Sequence, residues 1–278
     1  SDFIIGLSVI ALGTSFPEIF VGISSIVNNT EEIALGTIVG SNISNIALIF
    51  GVSLIGYSTA INPSSKRNFI ALGLSVLVAI YALSDLIISK LDSLMLLAVL
   101  AYFIYIMAIQ PNNNELTVEQ NDSSYLNLSI FLIIGLLSIT IGSNYAVING
   151  EKIALIIGIP KLIIGLTVLA IGTSLPELAV TISALIKQKN QMVLGNIIGS
   201  NVLNIAVVMP ILGLFSSKTF DPSIITRDMT VMTILSLIFV IIALSFNYKN
   251  ISISVYRLMG IILVFSYIIY IGILGGLL

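Results

Sequence analysis

The chain has 278 residues, 57% of them hydrophobic and 9% charged, with a net charge of −2 and a mean hydropathy of +1.13. Soluble domains carry about 25% charged residues, so this composition leaves little chain for an aqueous domain and describes a polytopic helical membrane protein. The lack of Cys and His excludes disulfides, thiolate metal sites, zinc–imidazole chemistry and histidine proton relays, the near-neutral charge presents no basic face to nucleic acid, and no Walker-type phosphate loop is present.

In chain order, the hydrophobic pattern predicts nine transmembrane helices: 3–27, 32–57, 67–84, 91–109, 126–148, 161–186, 191–215, 229–246 and 254–276. Each is long enough as a helix to span about 30 Å of hydrocarbon. Continuous apolar runs of this length do not fit a barrel, whose strands are short and alternate. The connections are short and polar, such as Asn62-Pro-Ser-Ser-Lys-Arg-Asn68. The longest, 110–125, carries Glu115, Glu119 and Asp122 and reads as a flexible linker between halves 1–109 and 126–278. Lys and Arg divide almost evenly between the two sides and only weakly place this linker in the cytoplasm.

The two halves repeat. Residues 5–47 align with 164–206 without a gap, at one offset of 159 residues and with 22 identities in 43 positions. Gly13-Thr-Ser-Phe-Pro-Glu18 recurs as Gly172-Thr-Ser-Leu-Pro-Glu177, and Gly40-Ser-Asn-Ile-Ser-Asn45 as Gly199-Ser-Asn-Val-Leu-Asn204. The matching segments are the first and sixth predicted spans, an odd number of steps apart, so the repeats are expected to be inverted in the membrane, the arrangement of many secondary transporters. The same offset implies a counterpart to span 126–148 ahead of repeat one, a helix of about 25–30 residues, whereas the chain as given begins with repeat one itself.

Eleven of the 13 acidic residues, Glu31, Asp92 and Asp228 among them, fall in or beside the expected loops. Glu18 and Glu177 lie well inside apolar spans that contain no nearby Lys or Arg. A carboxylate near the midplane costs on the order of 2.5 kcal/mol or more, so protons or cations must neutralise the pair. The neighbours favour hard cations. Thr14 and Ser15 precede Glu18, and Thr173 and Ser174 precede Glu177, at spacings that share a helix face. Pro17 and Pro176 cannot bond the carbonyls of Gly13 and Gly172, which predicts a broken helix with exposed carbonyl oxygens. Ser41 with Asn45, and Ser200 with Asn204, add oxygens at four-residue spacing. Gly36, Gly40, Gly195 and Gly199 permit close helix approach, and Pro210 is expected to kink its span. Calcium accepts six to eight such oxygens in flexible geometry, and two glutamates match one divalent ion in charge.

These doubled motifs resemble those of the cation/calcium antiporter superfamily, most closely the sodium/calcium exchanger branch of small prokaryotic members without a regulatory domain. The resemblance implies ten helices in two inverted halves, of which nine are present in this chain, and exchange of sodium for calcium by alternating access. The ion ligands it implies are the carbonyls of Ala11 and Ala170 with the side chains of Thr14, Ser15, Glu18, Ser41, Asn45, Thr173, Ser174, Glu177, Ser200 and Asn204. Some members, potassium-dependent ones included, hold an aspartate at the position of Asn204, and proton-coupled relatives carry an extra glutamate in the second motif that this chain lacks. A proton- or potassium-coupled exchanger, a passive cation channel and a transport-inactive truncated form are the alternatives. No catalytic residue and no cofactor is expected; the partners are the lipid bilayer and the transported calcium and sodium ions, and the location is the cell membrane of a prokaryote.

Overall fold

The computed structural model describes residues 2–56, 66–109, 156–246 and 251–276, with scattered positions between 130 and 152. Eight long helices run through the described residues: α1 Phe3–Val27, α2 Glu31–Ile55, α3 Lys66–Ala82, α4 Lys90–Ile109, α5 Lys161–Ile186, α6 Asn190–Phe215, α7 Ile224–Ser245 and α8 Ile253–Leu274. All but the 17-residue α3 reach 18 residues and have the hydropathy to cross a membrane. The expected linker 110–125 lies outside the described residues; of the expected span 126–148, ten positions between 130 and 148 are described, all of them helical.

Two pairs of helices make the core. α1 and α2 form a tight hairpin closed at Asn29, as do α5 and α6 at Gln188. Both closing residues are left-handed, with φ of 55° and 57°. In each hairpin an amide reaches back five residues, from Thr30 to Ser25 O at 2.7 Å and from Lys189 to Ala184 O at 2.8 Å, a helix-ending pattern. α2 and α6 are the most enclosed helices, with 83% of each apolar window buried. A carbon added at Gly36 would strike Leu162 O and Leu166 N, and one at Gly195 would strike Phe3 O and Leu7 N. Every member of the first set sits 159 residues from its counterpart in the second. Such approach between backbones requires glycine.

These contacts establish the inversion. Gly195 meets Phe3 and Leu7, and Gly199 meets Leu7 and Ala11, so α6 runs alongside α1 in the same direction. α2 runs against α1 across the Asn29 turn. α2 therefore runs opposite to α6, its own counterpart, and the two repeats are related by an axis in the membrane plane. The Thr30 side of the bilayer also carries the α3–α4 and α6–α7 connections, which meet where Ile87 pairs with Thr219 and Phe220 N donates to Leu86 O at 2.8 Å. Around this core, Phe239 of α7 packs edge-on to Phe50 of α2 at 4.8 Å, and Gly260 of α8 crosses Gly51 of α2.

The expected helix boundaries hold closely except at α7, which begins at Ile224 rather than 229. Asp228, expected beside a loop, is instead fully buried inside this helix. Arg227 donates to both of its oxygens at 2.8 and 3.0 Å, and Tyr270 adds a third bond at 2.9 Å, so its charge is answered locally and the helix can start early. Glu31 and Asp92 are also buried. Glu31 is held by Ser216 and Lys218, and Asp92 caps α4 by accepting from Ser89.

Candidate ion-binding site

Glu18 and Glu177 face each other where the hairpins cross, each 1% exposed. The helices that carry them are bent rather than broken. Ser15 (φ −84°, ψ 3°) and Ser174 (φ −82°, ψ 0°) leave the helical region for one residue, yet Ser15 N still reaches Ala11 O at 3.0 Å and Ile19 N reaches Ser15 O at 3.3 Å. Pro17 and Pro176 enter the first turn after the bend, where a missing N–H is least costly. The bend makes Glu18 and Glu177 first-turn residues of new half-helices, whose amide ends favour negative charge. A π-helical turn precedes each bend, at Gly6–Ile10 and Gly165–Leu169, and widens the backbone one turn before the site.

The second motif brings Ser41 and Ser200 up to the carboxylates. Glu18 lies near the hydroxyls of Ser41 and Thr173, and Glu177 near those of Ser200 and Thr14, so each carboxylate has one such neighbour from its own repeat and one from the other. Ser41 and Thr173 bond each other at 3.1 Å, and Ser200 donates to Glu177 Oε1 at 3.3 Å. Asn45 donates to Asn201 at 3.2 Å and Asn204 to Asn42 at 3.4 Å, one contact being the two-fold image of the other. The carbonyls of Ala11 and Ala170 each accept a backbone amide and a long hydroxyl bond, 3.4 Å from Thr14 and 3.5 Å from Thr173; rotating either hydroxyl would free a lone pair. All twelve expected positions are buried, and Thr14, Ser41, Thr173 and Ser200 lie directly about the two glutamates.

What distinguishes this cluster is how much of it is unpaired. Ser15 Oγ, both oxygens of Glu18, Glu177 Oε2, Asn45 Oδ1 and Asn204 Oδ1 are buried and meet no hydrogen-bond partner. Leaving buried polar atoms unpaired costs about 1–3 kcal/mol each, and more for charged groups, so an arrangement with six such oxygens is built for something that supplies positive charge. Among the described residues no group of three or more Asp, Glu, His or Cys side chains gathers; the centre is two carboxylates within a shell of neutral oxygens. That donor set suits hard cations held reversibly.

Three members of the cluster escaped the sequence reading. Asn42 and Asn201 belong to the quoted motifs, and their recurrence at the same offset is a signal; the four-residue stripe from Ser41 to Asn45 drew attention past them. Ser44 bonds Ser174 at 2.9 Å and has no counterpart, because repeat two carries Leu203 at that position. Only packing reveals it. Pro210 follows a π-helical turn at Asn204–Val208, but repeat one has the same turn at Asn45–Phe50 with Gly51 in place of the proline, so the distortion does not depend on Pro210.

Comparisons with known proteins agree with this geometry. The model of the family "Sodium/calcium exchanger protein" matches residues 1–109 and 127–276. Inner membrane protein YrbG of Escherichia coli is 35% identical over 251 residues, 86% of this chain and 77% of that protein. Sodium/calcium exchanger MaX1 of Methanosarcina acetivorans is 29% identical over 99% of this chain and 89% of its own length. Solved structures of the sodium-calcium exchanger NCX_Mj superpose with a TM-score of 0.76 at 30% identity, covering 98% of this chain and 87% of theirs. With inverted repeats, paired buried glutamates and a family match across both halves, this integral membrane chain belongs to the sodium/calcium exchanger protein family.

Proposed function

We propose that the protein exchanges sodium for calcium across the membrane by alternating access, binding either ion between Glu18 and Glu177. The observation that carries this reading is the pair of buried carboxylates with unpaired oxygens and no Lys or Arg in the same helices to neutralise them, apart from Lys161 at the very start of α5. The ligands are the carbonyls of Ala11 and Ala170 with Thr14, Ser15, Ser41, Asn45, Thr173, Ser174, Ser200 and Asn204 around the two glutamates. One calcium ion balances both charges, and at least two sodium ions are needed to do the same. The oxygens are shared, so calcium and sodium exclude each other.

Obligatory exchange follows from electrostatics. An empty site carries two buried negative charges, and moving them past hydrocarbon is costly. A neutralised site moves more cheaply. The bends at Ser15 and Ser174 place flexible points of α1 and α5 directly at the ions, where occupancy can bias the tilt of each helix. The inverted relation between the hairpins gives each membrane face an equivalent way in. A passive channel fits less well, because the glutamates oppose each other across an in-plane axis and do not ring a pore.

The test is calcium uptake into sodium-loaded proteoliposomes, with and without an outward sodium gradient. Uptake is expected to require the gradient and to fall to background in Glu18→Gln and Glu177→Gln. Uptake that ignores sodium in the wild type would refute the reading.

A further inference from the structure

A second group of unpaired polar atoms lies outside the central cluster. Thr181 of α5 and Asn196 of α6 are both fully buried, and Thr181 Oγ1, Asn196 Oδ1 and Asn196 Nδ2 all lack a hydrogen-bond partner. Their placement follows from the hairpin register. α5 and α6 are antiparallel about Gln188, and Ser200 reaches Glu177 at 3.3 Å. Stepping four residues along each helix, about 6 Å toward the turn, brings Thr181 opposite Asn196. One turn further, Ala184 and Val193 are buried, and beyond them the turn reaches the membrane surface.

Repeat one is different at the matching layer. The counterpart of Thr181 is Gly22, where an added carbon would meet Val208 Cγ1 at 2.6 Å, so that space is filled by a hydrocarbon side chain. The counterpart of Asn196 is Thr37, whose hydroxyl donates to Ile33 O at 2.8 Å. One half of the molecule is thus dry and satisfied here, while the other spends three polar atoms on nothing in the protein. Three unpaired donors and acceptors, buried at the matching level of one hairpin, suit water or a partly hydrated cation.

We propose that Thr181 and Asn196 form an outer, uncharged cation station one helical turn from Glu177, where a sodium or calcium ion still carrying water rests between the central site and the Gln188 side of the membrane. This rests on the exchange reading above. The station lacks a carboxylate, so it holds cations weakly and passes them to Glu177, whose charge is the stronger attraction. Ala184 and Val193 are the next layer outward, and a small shift of α5 against α6 opens it. Ions on the Thr30 side have no equivalent stop, because Gly22 and Thr37 offer none.

The test exploits the absence of cysteine from the native chain. Thr181→Cys and Asn196→Cys each introduce a sole thiol, to be treated with a membrane-impermeant methanethiosulfonate from either side of proteoliposomes. Lys187→Cys and Asn28→Cys serve as markers of the two surfaces. The thiols at 181 and 196 are expected to react only from the side where Lys187→Cys reacts and to be protected by calcium, while Thr37→Cys stays inert from both. As a second measurement, Asn196→Leu and the near-isosteric Thr181→Val are expected to slow uptake at subsaturating calcium about tenfold from that side and leave uptake from the opposite side unchanged. Inert thiols at both positions beside a reactive Lys187→Cys, or equal slowing from both sides, would overturn the station. Labelling does not depend on which ion drives transport, so a wild type that labels as expected but shows no sodium-dependent uptake would sink the exchange reading and leave the station standing.

Discussion

Asp228 shows what a satisfied buried carboxylate requires: two guanidinium bonds from Arg227 and one from the Tyr270 hydroxyl. Glu18 has nothing comparable, and the proposed ion site rests on this contrast. Removing the Tyr270 hydroxyl in Tyr270→Phe is expected to cost about 1.5–3 kcal/mol, the range for a bond to a charged group, lowering the melting temperature while calcium exchange persists. Glu18→Gln should behave in the opposite way: in choline buffer free of sodium and calcium it melts no lower than the wild type, because an unpaired buried charge has gone. Calcium should raise the melting temperature of the wild type and not of the variant, since only a bound ligand stabilises by mass action. Ten of the twelve central positions were legible in the sequence because the motifs occur twice at one offset, and the carbonyls of Ala11 and Ala170 came only with the family resemblance. Ser44, Thr181 and Asn196 were not, since a polar residue in a helix announces neither its burial nor its partner. Glu31, Asp92 and Asp228 were assigned to loops because they sit near helix starts, where caps and ion pairs let an acid be buried cheaply.

At the scale of elements, the molecule depends on helices approaching closely enough to place hydroxyls against the glutamates. Gly36 and Gly195 have no room for a methyl group, since backbone atoms of the facing helix occupy the space. Gly36→Ala and Gly195→Ala are each expected to cost about 1–3 kcal/mol through overpacking and to weaken calcium binding by spreading the core. Gly73 in α3 has nothing within 4 Å of an added carbon, so Gly73→Ala should stabilise by about 0.5–1 kcal/mol, the helix-propensity gain. Thermal unfolding of the three purified variants checks both directions at once. Hydropathy located these helices to within a few residues because the hydrocarbon length dictates them. It could not reveal the bends and π-helical turns. Proline and glycine suggested a break at Gly13 and Gly172, but the four-residue hydrogen-bond ladder survives on either side of Ser15 and Ser174, and the bend itself is confined to one residue.

For the whole molecule, the in-plane symmetry explains how one site can serve two membrane faces, and its departures explain how the faces can differ. Asn45–Asn201 and Asn204–Asn42 are images of each other, whereas Ser44–Ser174 has no image and Ser15 Oγ is left unpaired. The inversion was legible because the matching segments are the first and sixth spans, and the glycine contacts between α1 and α6 establish it independently of that count. The measurement that bears most directly on the account is calcium bound by the purified wild-type protein as sodium is raised at constant ionic strength. Shared oxygens predict that sodium displaces calcium completely, with a dependence steeper than one ion for one, and that neither Glu18→Gln nor Glu177→Gln retains the competition. Calcium binding that stays constant as sodium rises would contradict a single site serving both ions.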